Sequence, residues 1–550
     1  MYFDLTEKQQ SWADAVLSSM TVEEKVAQLL HPNFGSVSES ERLDIISKIP
    51  VGSFFCARTG LAEMQRLNRS VQEHSKVPVL VSADMEYGTN FIADKGIDFP
   101  SQMGLAACGS PEYARMMGRV TSRISRAAGV HWTFSPVIDL NLNPANPITN
   151  IRALGDDPEK TIPLFREIVA GLQEDGRMAA TCKHFPGDGV DDRDQHMLVS
   201  VNSLPEDQWF QLYGRVWQNA IAAGTKAVMC GHISFPARQG MADDPDNALP
   251  ATLSKELTTG LLRNELGFRG VVVSDALPMI GFTCRFPEEE LAWRNIEAGS
   301  DSVLFADPVK EFRFLMDALR AGKLSEERVE TAARRIVEMK ASLDLQDDCF
   351  GPEPTPEEFR EYSDAASQVS DRAVTVLRPC GLGQLPIRPD RQKRILTVSL
   401  IRNDDHLPDH ELETVDKELR SRGFEVDHLN NPGSRQLREA IANYDRIFID
   451  LTVQSHCGLS LRLAGKPAGA FWHSFFTLAP EKVVYTSFGS PYVLYDHPYF
   501  ENCLCVWGCA PVCQRSAVRY WCGEIGAEGS LPVRPHRVKV ARFEPYVETI

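Results

Sequence analysis

The sequence predicts an α/β protein in which an N-terminal (β/α)8 TIM-type barrel is followed by a smaller α/β sandwich domain. Short apolar runs without polar alternation recur with helical stretches between them, which is typical of parallel strands covered on both faces. Ionisable residues stand at the C-terminal ends of these runs, where barrel enzymes hold their active sites. Residues 347–356, rich in proline and glycine, then separate the barrel from the second domain.

The elements of the barrel are predicted in chain order. Thr21 and Glu24 form a capping box ahead of an apolar helical stripe, so we expect a helix to begin at Thr21. Seven strand candidates follow, at residues 51–57, 77–85, 132–140, 178–182, 226–233, 270–274 and 301–305. Seven or eight such strands separated by helices favour a closed barrel over an open doubly wound sheet. A helix over residues 325–343 ends this region.

The predicted domain boundaries follow from this order of elements. Residues 1–345 form the barrel, residues 346–380 form a linker that contains a helix over 356–371, and residues 381–550 form the second domain. Strand candidates of the second domain lie at residues 395–401, 424–429, 446–451, 482–486 and 503–507. A chain of 550 residues exceeds what one hydrophobic core supports, which agrees with two domains.

Charge and composition exclude several classes of partner. The chain has 58 Lys and Arg against 75 Asp and Glu, a formal net charge of -17, which argues against nucleic acid or an anionic membrane as a partner. The first residues lack the basic and apolar regions of a secretory signal, and no apolar run reaches the roughly 18 residues of a membrane span. We therefore expect a cytoplasmic protein.

The cysteines predict neither a disulfide framework nor a metal centre. Their number, 13, is odd, and they are scattered through a long chain, which is typical of reduced thiols. A single cluster lacks the spacing of a zinc ribbon. It consists of Cys503, Cys505, Cys509 and Cys513. We expect no metal and no organic cofactor.

Six ionisable residues stand at or just beyond the C-terminal ends of strand candidates. They are Asp84, Asp139, Lys183, His184, His232 and Asp275. A salt bridge is the ordinary interpretation of any one of them. Six at corresponding strand ends favour the catalytic face of a barrel, because parallel strands bring their carboxyl ends to one rim.

The stretch from Lys183 to His196 is the most informative in the chain. It leaves a short apolar run and continues into a loop with four aspartates and two glycines, Gly187 and Gly189, which we interpret as hinges. Asp194 and His196 are two residues apart, so the carboxylate can hold the imidazole and steady its protonated form. A solvated acidic surface loop is the alternative interpretation.

Several motifs together resemble the β-N-acetylglucosaminidase branch of glycoside hydrolase family 3. KHFPG at 183–187 is followed by Asp194 and His196, and further motifs occur in the family's order and spacing: ADME at 83–86, FSPVID at 134–139, Arg152 ahead of GDDP at 155–158, PATLS at 250–254 and SD at 274–275. SFGSPY at 487–492 and LPV at 531–533 are similar to the second domain of the two-domain members. The resemblance covers nearly the whole chain.

The resemblance implies a function and a role for each matching residue. The function is a retaining, exo-acting glycoside hydrolase that releases a terminal β-linked N-acetylhexosamine, most simply N-acetylglucosamine, from an amino-sugar glycoside or cell-wall fragment. Asp275 would be the nucleophile, His196 the general acid/base and Asp194 its partner. The residues that would hold sugar hydroxyls are Asp84, Arg152, Lys183 and His184.

Two departures from the family pattern leave alternatives open. Met85 replaces a glutamine and Asp188 replaces the second histidine of the family's Lys-His-Phe-Pro-Gly-His motif, which affects the expected sugar and leaving group. They also leave open an inactive sugar-binding protein. A phosphorylase that uses the same covalent intermediate with phosphate as the acceptor is a further alternative, because a histidine acid/base need not repel an incoming anion. A β-glucosidase is disfavoured, because that branch uses a glutamate acid/base.

Overall fold

The computed structural model describes residues 2–379, 383–401, 412–452, 479–498 and 500–534. The chain divides into two compact units. The first consists of Met1–Ile97, Ala114–Asn146 and Thr161–Tyr362, and the second of Asp98–Tyr113, Pro147–Lys160 and Ser363–Ile550. Two short segments of the N-terminal half therefore belong to the second unit. The predicted domain boundaries at residues 345 and 380 stay a prediction.

Eight parallel strands in the described residues of the first unit close into a barrel. They are β1 (Leu30–His31), β2 (Ser53–Phe55), β3 (Leu80–Ala83), β4 (Trp132–Thr133), β5 (Ala179–Phe185), β7 (Ala227–Cys230), β9 (Val271–Ser274) and β10 (Val303–Leu304). Six pair in the order β2-β3-β4-β5-β7-β9, and β1 pairs with β10. Parallel bridges from Asn33 to Phe55 and from Val273 to Ser302 complete the ring. The predicted barrel is confirmed.

All seven predicted barrel strands are present, with three differences in detail. The eighth strand, β1, was not predicted, because its two residues continue the apolar stripe of the helix before them. The ladder of β4 stops at Thr133, two residues before the Ser135-Pro136 pair, where proline has no N–H to donate. β5 runs on to Phe185, which pairs with Cys230 beyond an irregularity after Lys183. Two further short strands, β6 (Ser200–Val201) and β8 (Ile233–Ser234), pair with each other.

The barrel core is filled by apolar side chains from the strands and from the last helix of the unit. Trp132 and Phe134 meet edge to face with ring centroids 5.5 Å apart, and Phe134 stacks on Phe55. Ile336, Met339 and further residues close the core. Each fully buried side chain of this size stabilises the fold by roughly 1.5–3 kcal/mol. This core fixes the strand ends on which the ionisable residues stand.

The helices follow the strands as predicted. The Thr21 capping box is confirmed, with Glu24 N 3.2 Å from Thr21 Oγ1 and Thr21 N 2.9 Å from Glu24 Oε2. The α-helices in the described ranges are Glu7–Ser19, Val22–Gln28, Glu39–Lys48, Leu61–Glu73, Gln102–Cys108, Pro111–Ala127, Pro158–Leu172, Glu206–Trp209, Arg215–Ala222, Ile280–Thr283, Glu288–Ala298, Pro308–Arg320, Glu326–Ser342, Pro356–Ala373, Glu413–Ser421, Ser434–Ile441, Val493–Asp496 and Pro511–Trp521. Every helix among these residues is too short or too polar to span a bilayer.

Shorter and wider helical turns complete the described secondary structure. The π-helical segments are Phe210–Gly214 and Glu256–Glu265, and the 3-10 turns are Asn150–Arg152, Pro245–Asn247, Ala251–Leu253 and Pro480–Lys482.

The second unit is built on a six-stranded sheet. Its strands are β11 (Thr375–Arg378), β12 (Arg394–Ile401), β13 (Glu425–Asn430), β14 (Arg446–Thr452), β15 (Val483–Ser487) and β16 (Cys503–Cys505), in the order β11-β16-β15-β14-β12-β13. All pairs are parallel except β11 with β16. The five predicted strands are present, whereas the antiparallel edge strand β11 was missed. Cys503 and Cys505 lie on β16 with buried side chains.

A buried ion cluster fixes one side of the barrel. The Asp301 carboxylate, fully buried at the start of β10, accepts from Arg263 Nη2 at 2.6 Å, Arg328 Nη2 at 2.9 Å and Arg335 Nη1 at 3.0 Å. It also accepts from the backbone N–H of Val272 in β9 at 2.9 Å. Burial alone would raise the pKa of Asp301, but the three guanidinium groups hold that pKa far below its usual value.

Replacing Asp301 by Asn should therefore destabilise the barrel strongly. The change leaves three buried guanidinium groups facing a neutral amide, and we expect the free energy of unfolding to fall by about 3–5 kcal/mol. Urea unfolding followed by tryptophan fluorescence measures this. Asp317→Asn, which removes an exposed carboxylate paired with Arg320, is the matched control and should change little. Equal effects of the two substitutions would contradict a structural role for the cluster.

Candidate active site

The barrel gathers the predicted ionisable residues of the first unit at one rim. Asp84 directly follows β3, and Asp275 directly follows β9. Lys183 and His184 lie near the C-terminal end of β5. Since all these strands are parallel, their carboxyl ends open on the same face. The predicted Asp194 and His196 lie on the loop that leaves β5, between β5 and β6.

Asp275 is held at the end of β9 with its charge supported by imidazoles. Its N–H donates to Cys230 O at 2.8 Å, and its carboxylate accepts the Ala276 N–H at 2.8 Å. Burial would raise the pKa of Asp275, but the charges of neighbouring histidines lower the pKa below its usual value overall. These histidines, in order of effect, are His184, His232 and His196. An ionised carboxylate of this kind can act as a nucleophile.

Asp194 and His196 form the dyad that their spacing predicts. His196 Nδ1 lies 2.7 Å from Asp194 Oδ1, and the same oxygen accepts the backbone N–H of His196 at 2.8 Å. A carboxylate can only accept, so Nδ1 carries a proton and Nε2 is the nitrogen that can exchange one. Asp194 is nearly buried, whereas 34% of the His196 side chain is exposed, so the imidazole can meet a substrate.

The dyad loop is joined to the Asp275 segment and to the end of β7. His196 O accepts the N–H of Ile280 at 3.0 Å, and Gln195 Oε1 accepts the N–H of His232 at 2.9 Å. His232 in turn donates from Nε2 to Ala276 O at 3.0 Å. Burial lowers the pKa of His232, although Asp275 opposes this shift. The general acid/base candidate and the nucleophile candidate are thus held on one hydrogen-bonded frame.

Lys183 is bound between two carboxylates. Its Nζ lies 3.1 Å from Asp84 Oδ1 and 2.7 Å from Glu86 Oε1, with the lysine side chain and Glu86 buried and Asp84 half-exposed. Two of the predicted sugar-binding residues, Lys183 and Asp84, are therefore brought together. Glu86 was not predicted as a site residue, although its position two residues after Asp84 on the same strand-end turn was the available signal.

His184 belongs to a buried network that includes two aspartates. Asp139 Oδ2 accepts His184 Nδ1 at 2.7 Å, and Asp139 Oδ1 accepts the N–H of Asp188 at 2.7 Å. Asp188 Oδ1 accepts from Asn146 and from the Gly189 N–H, whereas the buried Asp188 Oδ2 has no hydrogen-bond partner among the described residues. Burial and the neighbouring Asp139 charge raise the pKa of Asp188 to about 6. The network orients the His184 ring. Two of its members, Asp188 and Asn146, were not predicted as site residues.

Gly187 and Gly189 have a different role from the hinge that the sequence suggested. Both are buried with positive φ, and a Cβ would lie 2.2 Å from the Tyr213 ring at Gly187 and 2.0 Å from Leu140 O at Gly189. Tyr213 also donates to Leu140 O at 3.0 Å. We interpret both glycines as making room for close packing at the base of the loop.

Arg152, the remaining predicted sugar-binding residue, belongs to the second unit. It ends the 3-10 turn Asn150–Arg152, and its Nη1 donates to Ile148 O at 3.2 Å. Gly155 lies within that unit against Pro532 O, where a Cβ would approach to 2.6 Å. Two of the family-like motifs, at 155–158 and 531–533, therefore meet. The role of Arg152 in sugar binding stays a prediction.

The ionisable groups of the site are carboxylates, imidazoles and one lysine. Among the described residues, no group of three or more His, Cys, Asp or Glu side chains is arranged to hold a metal ion. The Asp275 carboxylate can act as a nucleophile, and the partly exposed His196 imidazole, held by Asp194, can act as an acid and a base.

Comparison with known proteins agrees with this geometry. Residues 21–339 match the family model described as "Glycosyl hydrolase family 3 N terminal domain". A "Beta-N-acetylglucosaminidase/beta-glucosidase" of Cellulomonas fimi is 32% identical over 556 residues, covering 96% of this chain and 97% of its own length. The chain belongs to glycosyl hydrolase family 3.

Solved structures of this family share the architecture of the chain. A structure titled "Beta-glucoside phosphorylase BglX bound to 2FGlc" has a TM-score of 0.88 at 30% identity, covering 96% of this chain and 97% of its own. A family 3 β-N-acetylglucosaminidase from Paenibacillus sp. str. FPU-7 has a TM-score of 0.83 at 26% identity, covering 94% and 99%. This family 3 chain therefore spans nearly the full length of both.

The buried Asp188 predicts an unusual dependence of stability on pH. Its raised pKa means that its contribution to stability is present below about pH 4 and is lost as the pH rises through about 6. Asp188→Asn imitates the protonated carboxyl at every pH. We expect the variant to exceed the wild type in free energy of unfolding at pH 7.5, by up to roughly 3 kcal/mol, and to equal it near pH 4.

Urea unfolding of both proteins at the two pH values measures this difference. The control is Asp243→Asn, which changes an exposed aspartate of the same unit and should leave the stability difference between the two pH values as in the wild type. A loss of stability at pH 7.5 on Asp188→Asn would show that the Asp188 charge itself supports the fold.

Proposed function

We propose that the protein is a retaining, exo-acting glycoside hydrolase that removes a terminal β-linked N-acetylhexosamine, most simply N-acetylglucosamine. The observation that carries the proposal is the pairing of an ionised Asp275 at the end of β9 with the Asp194–His196 dyad on an adjoining, hydrogen-bonded loop. The names of the C. fimi relative and of the Paenibacillus structure support the amino sugar.

In the first step, Asp275 attacks the anomeric carbon and a glycosyl-enzyme ester forms. The bond to the leaving oxygen breaks, and that oxygen takes a proton from His196 Nε2. Asp194 holds the ring in this orientation, since its carboxylate accepts from Nδ1 and leaves Nε2 as the nitrogen that transfers the proton. The low pKa of Asp275 keeps the attacking carboxylate ionised at neutral pH.

In the second step, His196 acts as the base. Its neutral Nε2 takes a proton from water while the water oxygen attacks the anomeric carbon and releases Asp275. Two displacements on opposite faces retain the β-configuration. Because one imidazole serves as acid and then as base, the proton given to the leaving group is recovered from water.

The sugar hydroxyls are proposed to bind the charged groups around Asp84. Lys183, which is also paired with Glu86, holds the Asp84 side chain, which is 45% exposed and can accept from hydroxyl groups. His184 donates from Nδ1 to Asp139, which orients the ring so that Nε2 can bind a sugar hydroxyl. Hydrogen bonds to charged groups contribute about 1.5–3 kcal/mol each, and a sugar without the matching hydroxyl would lose them. Arg152 is proposed as a further sugar ligand.

A phosphorylase is the second candidate function. Its support is the similarity to the β-glucoside phosphorylase structure at a TM-score of 0.88. A neutral imidazole base does not repel an incoming phosphate as a carboxylate base would, so the His196 dyad permits phosphate in place of water. The covalent step would be unchanged, and the product would be a sugar 1-phosphate.

A small panel of aryl β-glycosides tests the function. We expect kcat/KM for the β-N-acetylglucosaminide to exceed that for the β-glucoside at least about tenfold, because an acetamido group that finds its partners stabilises the transition state by more than about 1.4 kcal/mol. Each assay is run with and without phosphate, and the products are identified by mass. Sugar 1-phosphate would select the phosphorylase, and a ratio at or below one would contradict the amino sugar.

A further inference from the structure

Exposed apolar side chains cluster beside His196. In the described part of the chain, six large hydrophobic side chains are exposed, and three of them lie on two adjoining segments of the candidate site. They are Met197 at 52%, Leu198 at 41% and Ile280 at 44% exposed. Single exposed apolar residues are ordinary, but three together at a catalytic dyad indicate a binding surface. We call these three residues the apolar ledge.

The ledge is held in place by backbone contacts. Met197 and Leu198 donate their N–H groups to Asp194 O at 2.9 and 3.1 Å, and Ile280 donates to His196 O at 3.0 Å. A Cβ on Gly281 would lie 2.5 Å from Gln195 O and 2.8 Å from Leu198 O, so the two segments touch closely. The exposed side chains therefore belong to a fixed frame and not to a loose chain end.

The ledge adjoins the point where a leaving group departs. Met197 is the chain neighbour of His196, and Ile280 is hydrogen-bonded to the His196 carbonyl. In the proposed mechanism the leaving oxygen lies within hydrogen-bond reach of the His196 imidazole. The leaving group would therefore depart beside the two segments that carry these side chains. A hydroxylated leaving group would gain little binding free energy from contact with these apolar side chains. An apolar leaving group would bury the side chains and its own surface away from water, which is favourable.

We propose that Met197, Leu198 and Ile280 form a leaving-group subsite that takes apolar aglycones, such as alkyl or aryl groups, in preference to a second sugar. The inference rests on the proposed function, because it places the glycosidic oxygen at His196. Methionine suits such a site, since its flexible thioether adapts to alkyl chains and to aromatic rings. The substrate class is then a β-N-acetylglucosaminide of a hydrophobic alcohol or phenol.

The test compares n-octyl with methyl β-N-acetylglucosaminide, below the micelle concentration of the octyl compound. Both leaving groups are alkoxides of similar basicity, so the ratio of their kcat/KM values reports contact with the chain and not the chemistry. We expect a ratio of about tenfold or more in the wild type, since each fully buried methylene is worth about a factor of four. Met197→Ser and Ile280→Ser should each lower the ratio about threefold, and together should bring it close to one.

Val309→Ser is the matched control, because Val309 is an exposed apolar residue of the same unit at 63% exposure. It should leave both kcat/KM values and the ratio unchanged. A wild-type ratio near one, or an equal loss of the ratio on Val309→Ser, would overturn the subsite while leaving the proposed function intact. Turnover of neither glycoside would contradict the proposed function, and the subsite would fail with it.

Discussion

The charge of the Asp275 carboxylate is the condition on which the rest of the site depends. Burial at the mouth of a barrel works against that charge, and the electrostatic effect of nearby imidazoles restores it. His184, His232 and His196 reach Asp275 from β5, from the end of β7 and from the dyad loop. Because β5, β7 and β9 are neighbouring parallel strands, their carboxyl ends bring these three chain segments to one carboxyl group. The fold therefore supports the proposed reaction by keeping the Asp275 carboxylate ionised.

The imidazoles are themselves oriented by groups deeper in the barrel. Asp139 accepts from the His184 ring and also fixes the backbone of Asp188, so the two buried aspartates share one small volume. Burial and, second to it, the nearby Asp139 charge raise the pKa of Asp188, which makes the network sensitive to pH. Where the family has a histidine, this chain thus has a carboxyl that is neutral in acid and charged at higher pH. The substitution changes the electrostatics behind His184 while its ring stays bonded to Asp139.

The sequence predicts what is local or periodic, and it fails where distant segments meet. The dyad was predictable because Asp194 and His196 are two residues apart, and the strand-end residues because apolar runs end at them. The ion pair between Lys183 and Glu86 was missed, since Glu86 lies beyond the end of the apolar run and its side-chain direction cannot be read from the local sequence. Gly187 and Gly189 resembled hinges, because their neighbours Tyr213 and Leu140 are invisible from the local sequence. Strand β1 was missed because two residues show no period.

Covalent labelling tests the central claim, that Asp275 is the nucleophile, most directly. The protein is incubated with 5-fluoro-N-acetylglucosaminyl fluoride, a slow substrate from which the glycosyl-enzyme accumulates, and its peptides are analysed by mass spectrometry. We expect one fluorosugar on the peptide that contains Asp275, and no label on Asp275→Asn. A label on Asp84 or Asp139, or turnover with no covalent species, would contradict it.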